Sequence, residues 1–191
     1  EIRNLNKTGY GSYSFSLAPG FEQLDPNVVL GMFTYDDDMP PETESEIFKY
    51  TREIDIEYSR WGDLNSDNGQ FVIQPYTEPG NRYRFNMLCN GQESTHRFQW
   101  YSEKIAFNVA YNDGTDVASW TYTGQNLPNL GLETCRINLW LTDPNGPTNQ
   151  KGAEVVIQQV KLPNPPKLGG VLYLLLSDGL SSARTKTRIF R

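Results

Sequence analysis

The stretch Arg52-Glu53-Ile54-Asp55-Ile56-Glu57-Tyr58 alternates acidic and β-branched residues with a period of two. Along a strand, side chains at i, i+2 and i+4 share a face. Glu53, Asp55 and Glu57 therefore point one way, Ile54 and Ile56 the other. The isoleucine face reads as core. The acidic face is the anomaly, because neighbouring like charges repel and raise one another's pKa. One reading is a solvated edge strand whose acids act as gatekeepers. The other is a chemical site that exploits an unequal sharing of protons.

The second reading makes a geometric demand. Residues i and i+4 on a flat strand lie ~13 Å apart, at a rise of ~3.3 Å per residue. Double-displacement cleavage of a glycosidic bond uses a carboxylate nucleophile and a carboxylic acid only ~5–5.5 Å apart. The motif therefore predicts a curved sheet, with Glu53 and Glu57 leaning together over the shorter Asp55 inside the bend.

The rest of the 191-residue chain suits such a sheet. Aromatics reach 13%, with 4 Trp and 11 Tyr, and turn formers are abundant at 16 Gly and 12 Pro. With no long helical periodicity, this predicts one all-β domain, a sandwich or jelly roll with a concave cleft. Strands are expected at residues 10–18, 28–35, 52–60, 70–76, 81–88, 95–101, 104–111, 117–122, 135–141 and 153–162. The formal net charge of −6 argues against nucleic acid or an anionic membrane as partner and suits a neutral polysaccharide. No segment approaches the ~20 apolar residues of a membrane-spanning helix.

Metal and nucleophile chemistries find little support. His96 is the only histidine, which removes a His-based zinc site and a Ser/His/Asp triad unless His96 itself serves. Cys89 and Cys135 form a disulfide if their strands are neighbours and are otherwise two isolated thiols. Asp36-Asp37-Asp38 and the following 39–44 read as a polar loop, with calcium binding as the alternative.

After Pro163 the composition changes. The segment 167–191 has five basic residues against Asp178, so it carries +4 and leaves −10 on residues 1–166. It reads as a peripheral tail, either an extra strand capping the sheet or a segment foreign to the domain.

Several motifs in order resemble glycoside hydrolase family 16, the secreted β-glucanases and their relatives. Glu53-Ile54-Asp55-Ile56-Glu57 resembles the family's Glu-x-Asp-x-Glu signature, and Tyr10-Gly11-Ser12-Tyr13-Ser14-Phe15 the strand before it. Thr95-His96-Arg97-Phe98-Gln99-Trp100, Ile105-Ala106-Phe107, Ile137-Asn138-Leu139-Trp140 and the strand 153–162 resemble later elements. The resemblance covers about residues 10–162. It implies Glu53 as nucleophile, Asp55 as the group tuning both glutamates, and Glu57 as acid and then base. The lack of an extra residue before Glu57 is similar to the unbulged members, which tilts the substrate towards β-1,3-1,4-glucan or xyloglucan. The resemblance further implies a secreted or cell-surface monomer, no cofactor for the chemistry, a structural calcium in some members, and further strands before Tyr10 than the nine residues present here. A transglycosylase on the same scaffold and a non-catalytic, lectin-like carbohydrate-binding module remain alternatives.

Sugar rings offer flat C–H faces rimmed by hydroxyls, which aromatic and amide side chains match. Candidate substrate-binding residues are Trp61, Trp120 and Trp140, which could equally pack in the core, with Tyr35, Gln74, Tyr76 and His96. Gln74 is expected to touch sugar or Glu57. His96 is read either as a structural residue or as a cleft residue. Trp100 and Phe98 read as core. Arg52 and Arg60 either pair with the carboxylates or stay solvated.

Overall fold

The computed structural model describes residues 1–37 and 51–163, together with the backbone of 172–176 and 188–189. The expected loop from Asp38 onward and most of the 167–191 tail lie outside the described residues.

The fold is an all-β jelly-roll sandwich of two antiparallel sheets. In chain order the strands are β1 (Ile2–Arg3), β2 (Gly11–Leu17), β3 (Val28–Tyr35), β4 (Ile54–Tyr58), β5 (Gly69–Ile73), β6 (Arg82–Phe85), β7 (Ser94–Trp100), β8 (Ile105–Tyr111), β9 (Asp116–Tyr122), β10 (Thr134–Leu141), β11 (Ala153–Lys161), β12 (Leu172–Leu176) and β13 (Arg188–Ile189). One sheet runs β1-β10-β3-β4-β5-β6 and the other β13-β12-β11-β2-β7-β8-β9. The short 3-10 turn Phe21–Gln23 is the one helical element among the described residues.

Period-two patterning explains the layers. In β2, Tyr13, Phe15 and Leu17 are buried while the serines between them are partly exposed. In β7, Ser94, His96, Phe98 and Trp100 face inward and Thr95, Arg97 and Gln99 outward. Ile54, Ile56 and Tyr58 of β4 meet them from the opposite sheet. Stacked rings knit the two layers, with Phe71 of β5 4.8 Å from Phe107 of β8. Such aromatic pairs contribute about 0.5–1.5 kcal/mol each beyond the area they bury.

β4 lies between β3 and β5, so it is a central strand and the solvated-edge reading of its acids is overturned. Backbone 172–176 pairs antiparallel with β11, from Ala153↔Leu176 to Ile157↔Leu172, and 188–189 pairs with 172–176. The two cysteines are free and buried. Cys135 is in β10, whereas Cys89 follows β6, four strand positions away. At ~4.8 Å per strand that is ~19 Å, far beyond the ~7 Å a disulfide spans. Among the described residues no helix is long and apolar enough to cross a membrane.

Candidate active site

The outer face of the six-stranded sheet is built from residues in register across it. One row runs Asn138, Gly31, Glu57, Gln70 and Arg84, from β10 to β6. The next runs Arg136, Phe33, Asp55, Val72 and Arg82. A third brings Thr134 beside Tyr35, and Gln74 beside Glu53, whose carbonyl accepts from the Gln74 N–H at 3.3 Å. The chain enters β4 through Arg52, which has φ 53°. The Thr34 hydroxyl secures that entry by donating to the Arg52 carbonyl at 2.7 Å and accepting from the Ile54 N–H at 3.2 Å.

The three acids share one face and none is freely solvated. Asp55 is 2% exposed, and Glu53 and Glu57 are half-buried. Burial disfavours their ionised forms, and mutual repulsion adds to it. Glu53 is pushed up to about 7, by burial first and by the charge of Glu57 second. Asp55 is raised well above the usual carboxylate range by burial and by both glutamates. Glu57 is raised by burial, with a hydrogen bond from Gln70 and the charges of Arg84 and Arg82 pulling it back. Asp55 and Glu53 lie close enough to influence each other's protonation, Asp55 drawing Glu53 down and Glu53 pushing Asp55 up. The protons of acids coupled in this way belong to the group as a whole.

Two glutamines order the acids. Gln70 Nε2 donates to Glu57 Oε2 at 2.7 Å, and Gln74 Nε2 donates to Asp55 Oδ2 at 3.3 Å. The expectation that Gln74 reaches Glu57 is therefore corrected: the antiparallel register sets Gln70, not Gln74, opposite Glu57. Arg84 Nη1 donates to Gln70 Oε1 at 3.2 Å, so the Gln70 amide must turn its N–H towards Glu57. Gly31 leaves room for Asn138, since a Cβ there would sit 2.5 Å from Asn138 Oδ1.

Aromatic side chains flank the acids. Trp140 is 40% exposed, and Trp61 meets it edge-on at 6.0 Å. Tyr35 lies under Arg136, with the guanidinium 4.7 Å from its ring centroid. Glu53 is close enough for its charge to raise the Tyr35 phenol. Tyr76 is 48% exposed and carries Arg82 over its ring at 5.9 Å.

Two candidates lie elsewhere. His96 is fully buried between the sheets, 2.7 Å from the Tyr58 hydroxyl through Nδ1 and 2.9 Å from the Ser94 hydroxyl through Nε2. It cannot touch a ligand on the outer face of the six-stranded sheet, and burial lowers its pKa to about 3. Its shared parity with Phe98 and Trp100 is the signal that points inward. Trp120 belongs to β9 of the other sheet, stacked 5.3 Å from Phe107 and 6.1 Å from Tyr83. It closes one edge of the sandwich rather than lining the acids. Ala118 and Tyr122, of the same parity, face inward with it.

The arginines near the motif are neither solvated nor paired with the acids. Arg52 Nη1 binds Asp36 at 2.8 Å, and Arg60 donates to the Leu64 and Ser66 carbonyls. Asp36 also accepts from the Leu132 N–H at 2.8 Å, and Asp37 takes Arg3 and Arg136. Guanidinium groups thus hold Asp36 and Asp37, the two described carboxylates of the expected polar loop. Gln70, Asn138, Arg82 and Arg84 were missed as site residues by sequence reasoning. Their matching parity within β5, β6 and β10 becomes informative only once the register is known.

No family model matches the sequence, and no curated protein matches it. Solved structures share the fold at low identity. A prokaryotic β-1,3-1,4-glucanase (lichenase) derived from a mouse hindgut metagenome is 23% identical, with TM-score 0.47, covering 73% of this chain and 56% of that one. A pseudo β-1,3-glucanase of Mycobacterium tuberculosis is 17% identical, with TM-score 0.47 and the same two coverages, 73% and 56%. Lectin I-B4 from Griffonia simplicifolia, in its metal-free form, is 15% identical, with TM-score 0.43, covering 70% and 64%. The chain spans less than two thirds of the length of each of these structures.

Proposed function

We propose that this chain is a retaining, endo-acting glycoside hydrolase of a β-linked glucan or related polysaccharide, with β-1,3-1,4-glucan as the first substrate to test. The observation that carries the reading is the row of three carboxyl groups on one face of a central strand, ordered by Gln70 and Gln74. A buried acid trio costs stability, and a binding surface has no need of one.

In this reading Glu53 attacks the anomeric carbon as a carboxylate. The glycosidic C–O bond breaks, and its electron pair passes to the leaving oxygen, which takes a proton from Glu57. Gln70 occupies Glu57 Oε2 as a donor, leaving Oε1 to carry that proton. Water then enters, Glu57 removes its proton, and the water oxygen displaces Glu53 from the anomeric carbon. Asp55 donates to Glu53 and lets it ionise at neutral pH. Trp61, Trp140, Tyr35 and Tyr76 supply flat surface for sugar rings on either side of the acids.

The test is a reducing-end assay on β-1,3-1,4-glucan, laminarin, xyloglucan and acidic polysaccharides, with Glu53→Gln as control. New reducing ends are expected with the wild type, and a loss of at least about 1,000-fold with the variant. Binding without cleavage of any member would leave the lectin-like reading standing. Azide rescue fixes the roles: on an activated glycoside, Glu53→Ala should yield the α-glycosyl azide and Glu57→Ala the β-glycosyl azide. The reverse pairing would exchange the two assignments.

A further inference from the structure

The six-stranded sheet bears several arginines on or beside its outer face, and nearly all are committed to protein partners. Arg3 and Arg136 bind Asp37, and Arg136 also reaches Glu1. Arg84 gives Nη1 to Gln70 and Nη2 to the Asp67 carbonyl. Arg82 is different. Exposed on β6, it makes no hydrogen bond and no ion pair among the described residues, and rests over the exposed Tyr76 ring. It stands two residues from Arg84, whose charged form is disfavoured by burial first and by the like charge of Arg82 second. Among the described residues Arg84 also has a buried Nε without a partner.

Two guanidinium groups side by side, in a chain of net charge −6, repel each other, and among the described residues no carboxylate lies within ion-pair distance of either. Serving only to offset the acid trio would not require Arg82 to be exposed and set over the Tyr76 ring. Its register row contains Asp55 and the adjacent row runs from Glu57 to Arg84, so a chain crossing from the acids towards β6 reaches Arg82 along the first row and Arg84 along the second. An exposed guanidinium lying 5.9 Å over an aromatic ring, with no protein partner among the described residues, can present its donors to a planar or tetrahedral oxyanion.

We propose that the glycan cleaved here is anionic, carrying a sulfate ester or a carboxylate on the sugar bound over β6, where Arg82 receives it beside the Tyr76 ring and Arg84 adds charge. This rests on the glycosidase reading for its setting, but the charge preference can be read without turnover. The sulfate and carboxylate sources share one chemistry, two or three acceptor oxygens around one negative charge, and the test separates them.

The experiment uses one backbone, β-1,3-1,4-glucan, in sulfated, carboxymethylated and neutral hydroxyethylated forms of equal substitution. Affinity is measured by gel retardation and calorimetry with Glu53→Gln, and cleavage with the wild type. We expect at least one anionic form to bind ten-fold or more tighter than the hydroxyethyl form. The preference should shrink several-fold between 20 and 300 mM salt, since exposed ion pairs are screened. Arg82→Gln should lower the anionic-to-neutral ratio about five-fold or more, with unchanged thermal melting showing that the fold is intact. The inference is overturned if the three forms bind equally, or if the ratio survives Arg82→Gln. Absence of cleavage from every form would count against the hydrolase reading alone, while the binding ratio would still decide this one.

Discussion

Glu53, half-buried and next to two other acids, pits the needs of a site against the stability of the fold. Its pKa rises from 4.5 to about 7 in the folded chain, so below pH 4.5 the folded state suffers no charge penalty. Stability is lost as pH rises through about 7 and the carboxylate must ionise in place. Glu53→Gln removes that ionisation. At about 1.4 kcal/mol per unit, the variant should be more stable than wild type by up to about 3 kcal/mol at pH 8, with the gain fading towards pH 4.5. Urea unfolding at both pH values checks this, and a variant equally or less stable at pH 8 would show that the acid carries no strain. Sequence alone placed these three acids on one face of a strand, because period-two alternation is a local property, and left a solvated edge and a chemical site as alternatives. It left His96 between a structural and a cleft role, and the inward parity shared with Phe98 and Trp100 decides for the structural one.

At the scale of the strand, two glycines make opposite demands. Gly31 in β3 faces the site, and a Cβ there would meet the end of the Asn138 side chain at 2.5 Å. Gly69 in β5 faces the core, and a Cβ would meet the Phe85 ring at 2.7 Å. A side-chain tip on an open face can swing away, whereas a ring in a packed core cannot. Gly31→Ala should therefore leave the melting temperature nearly unchanged and lower kcat/KM about ten-fold or more by displacing Asn138. Gly69→Ala should cost roughly 1–3 kcal/mol of stability. Chemical denaturation alongside the reducing-end assay separates them, and equal stability losses would refute the assignment of faces. The parity of Trp140 with Arg136 and Asn138 already placed it on the polar side of its strand. Trp120 shares parity with Ala118 and Tyr122, which marks it as inward-facing.

Across the whole molecule, the two sheets bury a polar contact among aromatics: Tyr58 hydroxyl, His96 and Ser94 hydroxyl. Burial keeps His96 neutral down to about pH 3, while the unfolded chain protonates it near 6.5. The unfolded state thus binds the extra proton between those values, and stability falls as pH drops from about 6.5 to about 3. The limiting slope is about 1.4 kcal/mol per pH unit. His96→Gln should cost about 1–3 kcal/mol at pH 7 through imperfectly paired hydroxyl groups, yet lose this part of the acid dependence. Unfolding free energies at pH 7 and pH 4 test it: an unchanged pH dependence would mean that His96 already takes up a proton in the fold.

The sequence by itself determined the all-β class, the strand sites and the acid trio, because period-two patterning and charge are local properties of a strand. The tertiary structure decided which strands are neighbours. That register put Gln70 rather than Gln74 on Glu57, set Arg82 and Arg84 in line with the acids, and parted Cys89 from Cys135. Hydrogen-bonded pairing between segments far apart in the chain is a long-range property that no local pattern encodes.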